Sequence, residues 1–150
     1  MIRFIQHRPP RIAMSLLFIA VTVSVLPNLA LSLHRPLYAT ALLIGFAGFA
    51  LMIRAWWLFK IANTAICPTR QSSSLVTHDV FSVTRNPMYL GMSMMLAAIA
   101  LGVGTAPFYA AALAYFLIMD RVFCPYEEQK ARQEFGDIFE DYIRRVRRWI

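Results

Sequence analysis

Polar surface is what this sequence lacks. Hydrophobic residues fill 59% of its 150 positions, whereas a soluble domain is usually about 45–50% apolar. The excess must face something other than water, and lipid is the simple answer. Charge is missing from long stretches, with none over residues 12–33 or 86–119. Cysteine is scarce as well: Cys67 and Cys124 are the two present, each followed by proline. That excludes a disulfide framework, and no ligand spacing suggests zinc or another metal. Both read as plain loop or helix-end thiols. Repeats, low-complexity tracts and interdomain linkers are also absent, so the length suits one domain.

What is present is a net charge of +7, unevenly placed, with seven of the fifteen Lys and Arg lying from Arg121 onward. A basic chain often points to nucleic acid. Here the basic residues flank apolar spans, where they would meet anionic lipid headgroups. The expected partner is therefore the bilayer, not nucleic acid.

The fold class expected is all-α integral membrane, with four transmembrane helices and a C-terminal amphipathic cytoplasmic helix. Residues 12–33 hold no charge and are long enough to cross about 30 Å of hydrocarbon. This run exceeds the roughly 7–15 apolar residues of a signal peptide, although Arg3, Arg8 and Arg11 precede it. It reads as the first span, bent near Pro27. Residues 37–59 form the second. Arg54 near its end can snorkel to the interface, and Trp56 and Trp57 fit the aromatic belt there. Residues 60–86 form a polar loop, with Asn63, Thr64, Pro68, Arg70 and Ser72 to Ser74. It is longer than a simple connection requires.

The charge-free run 86–119 would make a helix of about 51 Å, too long for one crossing. Gly102, Gly104 and Pro107 mark a turn that divides it into a tight hairpin, spans 87–103 and 106–123. In 124–150, Phe135, Ile138, Phe139, Tyr142, Val146 and Trp149 recur at helical spacing on one face. This helix would lie on the membrane or pack on the loop, with a bend at Gly136. Glu128/Arg132, Glu140/Arg144 and Asp141/Arg145 stand four apart, acid first, the favourable order for helix pairs. The positive-inside rule places both termini in the cytoplasm. The 60–86 loop and the C-terminal helix then share one side, and a bacterial inner membrane is the expected location.

The chemistry-bearing residues gather in those two segments. Asn86 and Pro87 suit the cap and first position of a helix, so the third span starts there. Its unpaired N–H groups and positive dipole end attract an anion. Arg85 adds a full charge, and together they can hold a carboxylate. Glu127 and Glu128 follow the fourth span in the first turn of a helix. Adjacent side chains diverge by about 100°, so one Glu can meet an ammonium or ribose hydroxyls while the other pairs with Arg132. S-adenosylmethionine carries a carboxylate, an ammonium, a ribose and an adenine, although spacing alone does not single it out.

The stretch from Asn63 to Gly91, with Glu127-Glu128 and Phe135-Gly136 to Arg147, resembles the isoprenylcysteine carboxyl methyltransferase and phospholipid methyltransferase superfamily. Those membrane enzymes share Leu-Val-Thr-x-Gly-x-Tyr, then Arg-His-Pro-x-Tyr-x-Gly, then Glu-Glu-x-x-Leu-x-x-x-Phe-Gly-x-x-Tyr-x-x-Tyr. The pieces occur here in the same order. Asp79 stands where the family has Gly, Phe81 for Tyr, Asn86 for His, Ala131 for Leu and Phe139 for the first tail Tyr. Asp79 and Phe81 bear on the cofactor rim or the substrate entrance. The resemblance implies S-adenosylmethionine as cofactor, with S-adenosylhomocysteine as product. It implies that His78, Arg85, Tyr89, Glu127 and Glu128 contact it, with Asn86 and Pro87 starting the helix beside it. The Leu75-Val76-Thr77 backbone would face the adenine, and Gly91 would allow close helix packing or give the cofactor room. Arg85, Glu128 and His78 are the catalytic candidates.

The reaction implied is methyl transfer to a lipophilic or small thiol, carboxylate or amine acceptor at the cytoplasmic interface. A carboxylate or thiolate acceptor needs no base. An amine or thiol must lose a proton, for which His78 or a Glu is available, while Arg85 can instead orient an acceptor carboxylate. Met92, Met94 and Met95 either line an apolar tunnel or simply face lipid and neighbouring helices. Asp120 and Arg121 form an interface pair or a functional one. Two other readings remain open. Membrane sterol reductases resemble the same C-terminal architecture and use a reduced nicotinamide cofactor, and a non-catalytic membrane protein could retain the fold. Oligomeric state and the acceptor's identity are beyond the sequence.

Overall fold

The computed structural model describes residues 9–25, 36–63 and 74–150, and every regular element among them is helical. Helix α1 is Pro9–Val25 and α2 is Tyr38–Ile61. A 3₁₀ turn at Asp79–Ser82 leads to α3 (Pro87–Val103), which is followed by α4 (Ala106–Ile118). A π-helical turn, Met119–Phe123, joins α4 to α5 (Cys124–Phe135), and α6 is Asp137–Arg145. In space α1 packs on α4, α4 on α3, and α3 on α2.

Two helical stretches are long and apolar enough to cross a membrane: α2, with 24 residues, and the continuous run Ala106–Phe135, with 30. Helices α1 and α3 are apolar but have 17 residues each, the short end of the roughly 17–25 that a crossing needs. Large apolar side chains face outward: Leu42 on α2 is 74% exposed, Phe46 76% and Phe18 on α1 73%. So broad an apolar exterior fits hydrocarbon rather than water. The first span was expected at 12–33. The described helix starts at Pro9 and runs to Val25, while Pro27 and the remainder to Leu33 lie outside the described residues. So do Arg3, Arg8, Thr64, Cys67, Pro68, Arg70, Ser72 and Ser73.

Glycine decides how closely α2 and α3 approach. A Cβ on Gly48 would lie 2.7 Å from the Gly91 carbonyl oxygen, and one on Gly91 would lie 2.5 Å from the Gly48 oxygen. Gly45 faces Ala98 and Gly102 faces Ala41 along the same seam. Between apolar helices in lipid, such small residues allow backbone contact and the dispersion attraction that goes with it. The hairpin turn forms as expected. Gly104 adopts the left-handed φ of +78° and its N–H reaches the Ala100 carbonyl at 2.8 Å, closing α3 in a conformation that costs a β-carbon-bearing residue more.

In the C-terminal segment the bend expected at Gly136 is a full break between two helices, and the helix ends before residue 150. The first part of the segment continues α4 through the π turn, the break at Gly136 has a φ of +52°, and α6 ends at Arg145. The bend turns α6 back, so Arg132 donates to Glu140 at 2.8 Å rather than pairing with Glu128. Asp141 meets Arg144 at 4.0 Å, while Arg145 donates to the Asp141 carbonyl. The apolar face of α6 is covered by protein: Phe139, Tyr142 and Val146 are buried against Leu75, Ala131 and Phe135.

Candidate functional site

A cavity of about 440 Å³ lies among the end of α2, segment 74–76, the start of α3, α5 and α6. Small-molecule sites commonly measure roughly 300–1,000 Å³. Eight residues expected at a cofactor line it: Leu75, Val76, Arg85, Asn86, Pro87, Tyr89, Glu127 and Glu128. Three do not. His78 is exposed, at the start of the 3₁₀ turn. Thr77 is half-buried beside it, and Gly91 is used in packing against Gly48. Of the three methionines, Met92 reaches the cavity, while Met94 and Met95 lie against Gly48 on α2. The apolar walls include Phe59, Phe81, Phe135 and Phe139; periodicity groups Phe135 with Phe139 but does not bring Phe59 or Phe81 to them.

Helix α3 begins at Pro87, as expected, but Asn86 does not cap it with its side chain. Its amide instead donates to the Arg148 carbonyl at 3.2 Å, because the tail runs beside the helix start. The tail also accepts the Arg85 backbone N–H at the Arg147 carbonyl, 3.1 Å away, and the Thr84 hydroxyl at the Arg148 carbonyl, 3.0 Å away. The Arg85 side chain is 11% exposed, with Nη2 3.3 Å from Glu128 Oε1. Its Nε and Nη1 are buried without a hydrogen-bond partner. A buried guanidinium with two idle donors is costly, and beside a cavity it marks a place for an anion.

The two glutamates diverge in environment. Glu128 is 8% exposed and takes a bidentate bond from Arg148, with Nε to Oε1 at 2.9 Å and Nη2 to Oε2 at 2.8 Å. Its expected partner, Arg132, is with Glu140 instead. Glu127, four residues past the 106–123 span expected from the sequence, lies in the cavity wall and accepts a bond from the Tyr89 hydroxyl at 2.5 Å. Burial pushes its carboxyl up to about 7, opposed by the Tyr89 hydrogen bond and by the Lys130 charge. It is the acid left with capacity for a ligand.

The π turn helps set which way these acids point. Pro125 has no N–H to give the Arg121 carbonyl and its ring would crowd that carbonyl in a regular helix. The turn widens, and the Cys124 N–H bonds to the Met119 carbonyl. One added residue rotates the downstream helix by about 100°, and both glutamates come to line the cavity. Asp120, inside this turn, accepts from Arg148 Nη1 at 3.1 Å and Trp149 Nε1 at 2.9 Å. Its contact with Arg121 at 3.2 Å is therefore one of several. The Cys-Pro pair within an apolar run was the signal for this feature.

Asp79 has a φ of +60°, the left-handed region that suits glycine, which explains the family's Gly at this position. Here the aspartate is held by Arg54 of α2, whose Nε is 3.0 Å from Oδ2, and by the Val80 N–H at 2.8 Å. Arg54 thus has a protein partner as well as a place at the interface. Hydrogen bonding from Arg54 holds the Asp79 carboxyl below the usual range. Phe81 packs edge-on against Phe59, centroids 5.0 Å apart, and its carbonyl accepts the Tyr142 hydroxyl at 2.6 Å. Burial pushes that phenol up to about 12. Among the described residues, no cluster of His, Cys, Asp or Glu could hold a metal ion.

Comparison with curated proteins and with solved structures finds no match for the chain. A family model described as phospholipid methyltransferase matches residues 36–138, a span that holds α2, α3, Arg85 and the paired glutamates. By that match the chain belongs to the phospholipid methyltransferase family.

Proposed function

We propose that this protein transfers a methyl group from S-adenosylmethionine to a lipophilic or small acceptor at the cytoplasmic membrane interface. The observation that carries the reading is Arg85: two buried donors without a partner, in a cavity whose wall also holds Glu127. The donor set suits the cofactor. Arg85 would take the carboxylate, Glu127 the ammonium or the ribose hydroxyls, and Leu75 and Val76 would flank the adenine. Bound there, the sulfonium supplies an already activated methyl group, so the protein's task is to position and to exclude water. The apolar walls and Met92 exclude water and accommodate the acceptor's hydrophobic part. Arg148 bonds both Glu128 oxygens and so fixes that side chain beside Arg85. His78, exposed outside the cavity, would act only on an acceptor that arrives from the rim.

The topology proposed is four spans with both termini cytoplasmic. That arrangement puts the cavity at the interface, where a lipid tail can stay in the bilayer while its head reaches a water-borne methyl donor. The test is calorimetric titration of S-adenosylhomocysteine into the purified protein, beside Arg85→Ala, Glu127→Ala and Glu128→Ala. Affinity should fall in each variant, and wild-type affinity in all three would sink the assignment. Thermal stabilisation by a reduced nicotinamide nucleotide but by neither sulfur compound would favour a reductase. Labelled-methyl transfer into a membrane lipid extract, followed by product identification, names the acceptor.

A further inference from the structure

Segment 146–150 is not a helix end trailing into solvent. It runs back across the site and touches both of its charged halves. On one side the Arg147 and Arg148 carbonyls accept from Thr84, Arg85 and Asn86. On the other, the Arg148 guanidinium spans Asp120 of the π turn and Glu128 of α5. Trp149 anchors the segment by its bond to Asp120 and by packing on Phe116, ring centroids 4.8 Å apart.

The arrangement has an electrostatic consequence. Glu128 has two oxygens and two cationic neighbours, and Arg148 engages both oxygens while Arg85 touches one. An arginine–carboxylate pair prefers the two-bonded geometry. Without Arg148, Glu128 would be free to turn fully onto Arg85 and use a donor that now has no partner. We propose that Arg148 is a positioning residue: it holds Glu128 so that Arg85 keeps two N–H groups open to the anionic end of a ligand. The proposal rests on the cofactor reading above only for the identity of that ligand. Arg148 does not touch the ligand in this account; it acts through Glu128.

The experiment compares wild type, Arg148→Gln, Arg148→Lys and the double variant Glu128→Gln/Arg148→Gln, each purified and folded by its thermal transition. The probe is S-adenosylhomocysteine. Arg148→Gln should weaken binding about tenfold or more, the scale on which partners that orient a ligating residue act. Lysine, a single point charge, should restore it only in part. The double variant should bind more tightly than Arg148→Gln, because the amide cannot form the ion pair that closes Arg85. A merely structural tail would leave the double variant as weak as the single one, and that result overturns the proposal. Wild-type affinity in Arg148→Gln overturns it equally. If the wild type binds no such nucleoside, the cofactor reading fails and the same four proteins are titrated with inorganic phosphate. The same order of affinities then supports the positioning role, and equal affinity in the wild type and Arg148→Gln overturns it.

Discussion

Glu127 is where the chemistry of single residues is most exposed to test. Its carboxyl is raised by burial to about 7, so the folded chain holds a proton that the unfolded chain gives up at lower pH. Stability from this group is therefore full in acid, declines as pH rises above the ordinary glutamate range, and levels off once pH passes about 7. Glu127→Gln should flatten that decline in a pH series of thermal transitions. Binding runs the other way: if the ionised form meets the ligand's ammonium, affinity for S-adenosylhomocysteine rises as pH climbs through 7, and the Gln variant loses the dependence. Asp79 offers a second test. At its positive φ, glycine suits the backbone and alanine does not. Asp79→Ala should lower the melting temperature more than Asp79→Gly, since both lose Arg54 but only alanine adds strain. The reverse order would show that the backbone conformation is not the constraint.

Among the elements, the α2–α3 seam and the π turn make the sharpest demands. Neither Gly48 nor Gly91 has room for a methyl group. Gly91→Ala should cost about 1–3 kcal/mol, the usual range for overpacking, read as a lower unfolding temperature in detergent. Because α3 carries Tyr89 and begins beside Arg85, ligand affinity should fall with it. An unaltered transition would mean that the helices can separate freely. Pro125 acts through register. Replacing it by alanine supplies the missing N–H and permits a regular turn. The glutamates would then rotate away from the cavity, weakening S-adenosylhomocysteine binding with little loss of helix content by circular dichroism.

At the scale of the molecule, α1 and α2 turn apolar faces outward, and the proposed four-span topology puts the charged site on the cytoplasmic side. With Cys67 replaced by serine, the native thiol that remains is Cys124, which is buried and shielded from the reagent. Single cysteines at Ser82 and Asp141 should react with a membrane-impermeant maleimide from the cytoplasmic side, and one at Thr105 from the opposite side. Labelling of positions 82 and 105 from the same face would end the four-span proposal.

Much of this architecture is written locally in the chain. The charge-free runs and the Gly104-to-Pro107 turn disclosed the helices and the hairpin, because helix length and turn conformation are local and follow from composition. The Asn-Pro start of α3 was legible for the same reason; Arg85 and the paired glutamates stood out as charges at helix starts, and Tyr89 entered only through the family resemblance. Tertiary structure decided the partners. It gave Glu128 to Arg148 rather than Arg132, turned Asn86 toward the tail, left His78 outside the cavity and used Gly91 for packing. The Glu128 and Asn86 outcomes depend on the tail returning across the bend at Gly136, and the Gly91 outcome on the close approach of α2 to α3. A periodic pattern records which face of a helix is apolar; it does not record which distant charge arrives there. Where the low polarity of the interior makes an unpaired charge expensive, the choice belongs to whichever partner the fold delivers.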